Sequence, residues 1–184
     1  MKHRLAPSIA LFLLASFVSS TVFAASGHPL LARAELKNAK GESLGNAILT
    51  ETTAGVAVKI ELSKLQSLAK NPELAIHVHE VGKCEGPEFK SAGGHFNPTG
   101  KEHGFNNPKG HHAGDTQKPL IVSKTSEVKT SFVFSEVTLE TGKPNSLLKE
   151  GGTSLVVHDG LDDQKSQPAG NSGARILCGV IEKK

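Results

Sequence analysis

Apolar and polar residues alternate with a period of two in several short stretches of this chain. Val56, Val58, Ile60 and Leu62 alternate with Ala57, Lys59 and Glu61. Val128, Thr130, Phe132 and Phe134 alternate with Glu127, Lys129, Ser131 and Val133. Each reads as a strand with one buried face. Residues 30–36, 47–50, 74–80, 155–158 and 175–181 are further strand candidates. Asn38-Ala39-Lys40-Gly41 predicts a hairpin turn between the first two, and residues 63–69 predict a short helical turn before Pro72. Strands at this regular spacing favour an antiparallel β-sandwich or barrel. Residues 81–119 and 159–174 break the pattern and are rich in Gly, Pro, Asn and Asp. Loops of this length are uncommon in compact domains unless they carry function. No internal repeat, domain linker or low-complexity tract interrupts the chain.

The histidines give the pattern a chemical meaning. In the segment 74–80, Leu74, Ile76 and Val78 share one strand face while His77 and His79 share the other. The strand can anchor itself in a core and present two imidazoles side by side. His158 ends another apolar strand, where a third ligand would be rigidly held. The first long loop adds His95, His103, His112 and Asp115. Three nitrogens and one oxygen suffice for a tetrahedral zinc site without water, the form expected of a structural site. These seven side chains can hold two metal ions, one in an open, imidazole-rich site suited to redox or Lewis-acid chemistry. A solvated, histidine-rich loop is the plainer alternative. Gly93, Gly94, Gly104, Gly110 and Gly114 suit a tightly turning backbone but also an ordinary loop.

The N-terminus narrows the compartment. Lys2 and Arg4 precede an apolar run over 9–18, and Val22-Phe23-Ala24 offers a small-residue cleavage site before Ala25. Residues 1–24 read as a secretory signal and 25–184 as one mature domain. The apolar run is short for a membrane span, and no cysteine stands near the cleavage point, so no stable membrane anchor is expected. Loss of Lys2 and Arg4 lowers the formal charge from +3 to +1, and no basic tract argues for nucleic acid. In an exported protein the two cysteines, Cys84 and Cys178, most simply form one disulfide; two free metal-binding thiols are the alternative.

Several stretches together carry a resemblance: His77-Val78-His79-Glu80, residues 91–98 (SAGGHFNP), His103-Gly104, His112-Ala113-Gly114-Asp115, Leu155-Val156-Val157-His158 and residues 173–181 (GARILCGVI). The chain resembles the exported bacterial copper/zinc superoxide dismutases over essentially its whole mature length. The resemblance implies a Greek-key, immunoglobulin-like β-barrel with long metal-binding and active-site loops. It implies one copper ion per subunit on His77, His79, His95 and His158, and one zinc ion on His95, His103, His112 and Asp115, with His95 shared. Arg175 matches the active-site arginine, and Cys84–Cys178 matches the disulfide. Asp162 matches a carboxylate linking ligands of the two sites, with Asp163 its nearest rival. His28 and His111 have no place in this scheme. After Asp115 the family's usual leucine gives way to Thr116-Gln117-Lys118-Pro119, which leaves the packing of this segment open.

The implied activity is disproportionation of superoxide to dioxygen and hydrogen peroxide in the periplasm, protecting the cell envelope, by a monomer or a homodimer. Arg175 would dock the anion and His95 would carry a proton. Lys83, Lys90, Lys101, Lys109 and Lys118 lie in or beside the ligand-bearing loop, where they are candidates to steer superoxide, as the family's substrate-focusing fields imply. The competing reading is a periplasmic copper-storage protein without turnover. Arg175 and the complete zinc set argue against it.

Overall fold

A computed structural model describes residues 29–184. The candidate signal at 1–24 and His28 lie outside the described residues. Among the described residues ten strands form in chain order: β1 Leu31–Lys37, β2 Ser43–Thr52, β3 Gly55–Leu62, β4 Glu73–Leu74, β5 Ile76–His79, β6 Leu120–Ile121, β7 Val128–Phe134, β8 Ser154–His158, β9 Arg175–Val180 and β10 Glu182–Lys183. Among the described residues the only helical pieces are two 3₁₀ turns, Leu65–Ser67 and Lys90–Ala92. The first falls where the helical turn is expected.

One antiparallel sheet runs β5-β8-β9-β1-β2-β3-β7, with β10 on the outer end of β1. The chain leaves β3 for the far edge at β5, returns to β7 beside β3, and crosses again to β8 beside β5. These crossings are of Greek-key type. The sheet curls around a core in which alternation predicts the inner face. Val56, Val58, Ile60 and Leu62 are all buried, and Leu74, Ile76 and Val78 join them from the opposite edge. The hairpin turn forms as expected, with Asn38 Oδ1 accepting from Lys40 N at 2.9 Å and Glu42 N at 3.1 Å.

The expected strand at 74–80 divides at Ala75. Leu74 pairs with Leu120 in a separate β4–β6 ribbon, while Ile76 to His79 pairs with β8. Ala75 N donates instead to Gly160 O at 2.8 Å, and Ala75 O accepts from His158 N at 2.9 Å. The strand therefore switches sheets, and that switch ties His158 and the second long loop to the base of β5. Thr116 resolves the unusual segment after Asp115. Its hydroxyl donates to Ile76 O at 2.8 Å, its carbonyl accepts from Gln164 Nε2 at 3.0 Å, and Leu120 enters the core.

Cys84 and Cys178 are joined across a separation of 94 residues, their Cα atoms 5.6 Å apart. They pack with Phe89, Ala92 and Val156 in a small satellite core. By loop entropy such a bridge destabilises the unfolded chain by about 4–5 kcal/mol. It ties the start of the first long loop to β9, and so fixes the backbone that faces Arg175.

Candidate metal centre

Two clusters meet at one ring. The ligand atoms of His77, His79, His95 and His158 lie within 4.8 Å of one another, as do those of His95, His103, His112 and Asp115. All seven residues are buried. β5 carries His77 and His79, β8 ends in His158, and the first long loop brings His95 against β5 through a bridge to His79. The His95 ring centroid lies 4.0 Å from that of His77 and 5.1 Å from that of His103.

The orientation of each ring is set from behind. His77 Nε2 donates to Asp162 Oδ2 at 2.8 Å, and His103 Nε2 donates to Asp162 Oδ1 at 3.0 Å. His79 Nδ1 donates to Gly93 O at 3.0 Å. His158 Nδ1 reaches Gly173 O at 3.3 Å and Ser172 Oγ at 3.2 Å. Asp115 Oδ1 lies 2.8 Å from His95 Nδ1 and 3.3 Å from His112 Nδ1, and its Oδ2 lies 3.1 Å from His103 Nδ1. Backbone N–H groups of Gly104 and His112 also donate to Oδ2, at 2.9 and 3.0 Å.

What these contacts leave over is the test of fit. Six buried ring nitrogens have no hydrogen-bond partner: His77 Nδ1, His79 Nε2, His95 Nε2, His103 Nδ1, His112 Nδ1 and His158 Nε2. Buried polar atoms without partners are rare and costly. Here all six point into the two clusters. Four imidazoles suit copper, and three imidazoles with a carboxylate suit a closed zinc site.

Electrostatics prepares the same donors. Burial and the neighbouring His95 hold His79 far below the usual histidine range. Burial and His77 do the same for His158, and lower His95 to about 3 against the opposing pull of Asp115. Burial alone would lower His103, but the adjacent Asp115 and Asp162 carboxylates outweigh that and raise it to about 9. Burial would raise Asp115 and Asp162; the histidines around them win and keep both carboxylates well below their ordinary values. Neutral rings and ionised carboxylates are the forms that metals bind, so His79, His95, His158 and the two carboxylates are prepared, whereas His103 must give up a proton to become a ligand.

Arg175 begins β9 beside His79 and His158. Its Nη1 donates to Phe89 O and its Nη2 to Gly93 O, both at 2.8 Å. The three side chains share a cleft of about 250 Å³ with Gln167, Asn171 and Ser172. A larger hollow of about 680 Å³ on the outer face of β1–β3 contains none of the seven cluster residues.

The seven candidate ligands, Asp162 and Arg175 fall in or beside this centre, while the disulfide lies in the satellite core. Asp162, and not Asp163, spans the two clusters; Asp163 faces Ser166 and Asn171 in its own loop. His111 turns away from the zinc-type cluster and stacks on Phe105, ring centroids 3.8 Å apart. The lysines divide. Lys90, Lys101 and Lys109 pair with Glu88, Glu136 and Glu102, so only Lys83 and Lys118 of the five lack an ion pair among the described residues. Sequence reasoning missed Gln164, Gln167, Gly170 and Ser172. Gly170 is required: its φ is +63°, and a Cβ there would lie 1.8 Å from Asp162 Oδ1. Gln167 joins the loops, its Oε1 accepting from His103 N at 3.0 Å.

Comparison with known proteins agrees with this geometry. Residues 43–181 match the copper/zinc superoxide dismutase family profile. Superoxide dismutase [Cu-Zn] 1 of Aquifex aeolicus is 51% identical over 153 residues, covering 83% of this chain and 88% of the relative. Superoxide dismutase [Cu-Zn] 2 of the same organism is 50% identical over 160 residues, covering 87% and 91%. The crystal structure of a superoxide dismutase-like protein from Bacillus subtilis superposes with a TM-score of 0.75 at 39% identity, covering 80% of this chain and 96% of that one. The Cu/Zn superoxide dismutase of Brucella abortus does so with a TM-score of 0.63 at 25% identity, covering 83% and 99%. The chain therefore belongs to the copper/zinc superoxide dismutase family, and it disproportionates superoxide to dioxygen and hydrogen peroxide with copper and zinc as cofactors.

Proposed function

We propose that copper is held by His77 Nδ1, His79 Nε2, His95 Nε2 and His158 Nε2. Zinc would be held by His95, His103, His112 and Asp115, with His95 a member of both sets. The observation that supports this is the set of six unpartnered ring nitrogens converging on two points with His95 between them. Copper bound there would supply a one-electron couple for superoxide, and zinc would supply fixed charge and geometry.

The chain's own groups do the rest. Arg175 holds the anion beside His79 and His158. Two of its nitrogens are committed to carbonyls, which fixes the plane of the guanidinium and directs its remaining N–H groups into the cleft. A guanidinium stays charged and offers donors in a rigid fork, which a lysine does not reproduce. When His95 Nε2 is not holding the metal, its lone pair would carry a proton and give it to the peroxide product, while Nδ1 stays on the Asp115 side of the ring. Water supplies the second proton. Asp162 keeps His77 and His103 in the tautomers that present Nδ1 to the metals.

Arg175→Glu is expected to lower turnover by about 10²-fold or more, as for loss of a positioned donor, with copper content unchanged. Full activity in a fully metallated variant would exclude the assigned role. Full copper loading without turnover in the unaltered protein would instead favour storage.

Export belongs to the same proposal. Residues 1–24 direct the chain to the periplasm, and 25–184 form the mature enzyme that protects the envelope. The disulfide supports an oxidising compartment, and no described helix is long and apolar enough to cross a membrane. N-terminal sequencing of the protein from a periplasmic extract is expected to begin at Ala25; an intact Met1 would refute cleavage there.

A further inference from the structure

We propose that Ser172 is a positioning residue for the copper site, its hydroxyl accepting the Nδ1 proton of His158 and so strengthening that ring as a donor to the oxidised metal. The inference rests on His158 holding copper through Nε2, as proposed above. With Nε2 committed to the metal, Nδ1 must carry the proton, and that proton needs an acceptor.

The other two rings held by this strand arrangement have one short acceptor each: Asp162 for His77 at 2.8 Å and Gly93 O for His79 at 3.0 Å. His158 differs. Its backbone acceptor, Gly173 O, lies at 3.3 Å, beyond the usual range for an N–H···O bond. Ser172 Oγ lies at 3.2 Å and shares the load. Ser172 is 2% exposed, and this is the one hydrogen bond its hydroxyl makes among the described residues. The backbone has been shaped to place it. Ser172 O accepts from Gly160 N at 3.0 Å, and the residues on either side, Asn171 and Gly173, both have positive φ, +52° and +82°. Asp159 Oδ1 accepts from Ala174 N at 2.8 Å and closes the turn.

An acceptor behind a metal-bound imidazole raises its basicity, and such partners typically change metal affinity 10–100-fold. The harder, oxidised ion gains more from a stronger nitrogen donor than the softer, reduced one. Ser172 therefore biases the copper couple toward the oxidised state.

The test uses the zinc-loaded protein with copper added alone. Cu(II) and Cu(I) affinities are measured by chelator competition in the unaltered chain, Ser172→Ala and Ser172→Thr. Ser172→Ala is expected to lose about tenfold in Cu(II) affinity relative to Cu(I), equivalent to a rise of about 59 mV in reduction potential for a one-electron couple. Ser172→Thr, which keeps the hydroxyl, is expected to restore the ratio. An unchanged ratio in Ser172→Ala, with or without a lower melting temperature, would overturn the proposal. So would an equal shift in both variants, since Thr keeps the hydroxyl and Ala does not. His158→Ala separates the two levels. If it keeps the Cu(II) affinity of the unaltered chain, the ligand assignment itself fails and Ser172 with it. If it loses copper while Ser172→Ala leaves the ratio unchanged, only the role of Ser172 is refuted.

Discussion

Replacing His95 by Ala is expected to unload both metal sites at once and to lower turnover by at least about 10²–10⁴-fold, the range for losing a positioned proton donor alone. The geometry gives the reason. Both clusters count this ring as a member, and the ring faces them with opposite nitrogens: Nδ1 toward Asp115, and Nε2, which has no partner, toward His77, His79 and His158. Deleting it leaves three imidazoles on one side and two imidazoles with a carboxylate on the other. The double loss distinguishes His95 from its neighbours. His79→Ala touches only the first cluster, and His112→Ala only the second. Elemental analysis beside a superoxide-consumption assay reads the pattern. A His95→Ala protein that kept both metals and its rate would mean that no shared ring is needed, and the site as proposed would fall with it.

What the sequence exposes and what it hides divide along physical lines. The barrel strands are legible because burial on one face imposes a period of two, as in Val56 to Leu62 and Val128 to Phe134. The candidate ligands are legible because His77 and His79 share one face of an apolar strand and because the family's motifs, more than the spacing, sort them into two sets. The break at Ala75 is not legible. It is made by backbone bonds to Gly160 and His158, more than eighty residues away, and the local sequence is equally good as one continuous strand. Residues 135–153 are hidden for a similar reason. They form no strand, yet Val137, Leu139 and Leu147 are buried, and the segment is pinned by Glu51, which accepts from Thr138 Oγ1 at 3.0 Å. Gln164, Gln167 and Ser172 are ordinary loop residues in sequence. Their importance comes from closure of the second loop over the first, where Gln164 N donates to Asp162 Oδ1 at 2.7 Å and Gln164 O accepts from Asn106 N at 3.0 Å. Polar residues whose partners lie on another loop carry no periodic signal.

That closure is what makes Asp162 the second residue of large effect. Its carboxylate accepts from His77 of the first cluster and His103 of the second, and it is nearly buried. A carboxylate can accept two such bonds at once; a carboxamide cannot. In Asp162→Asn the amide nitrogen is a donor facing one of two ring N–H donors. One ring must then move its proton to Nδ1 or leave the bond, and that ring no longer offers a lone pair to its metal. The expected result is a loss of about 10–100-fold in affinity at one site with the other largely kept, whereas Asp162→Ala, which frees both rings, weakens both. If the metals sit as proposed, the residue would also couple the sites: zinc on His103 would fix the carboxylate, and the carboxylate would fix His77. Zinc should therefore raise copper affinity, and by thermodynamic reciprocity copper should raise zinc affinity by the same factor, typically about 5–150-fold for coupled sites. In Asp162→Ala part of that coupling survives through His95 and part is lost. Titrating each metal in the presence and absence of the other gives both factors. A coupling factor identical in Asp162→Ala and the unaltered protein would mean that His95 carries all of it and that Asp162 serves only to fill the space between two rings.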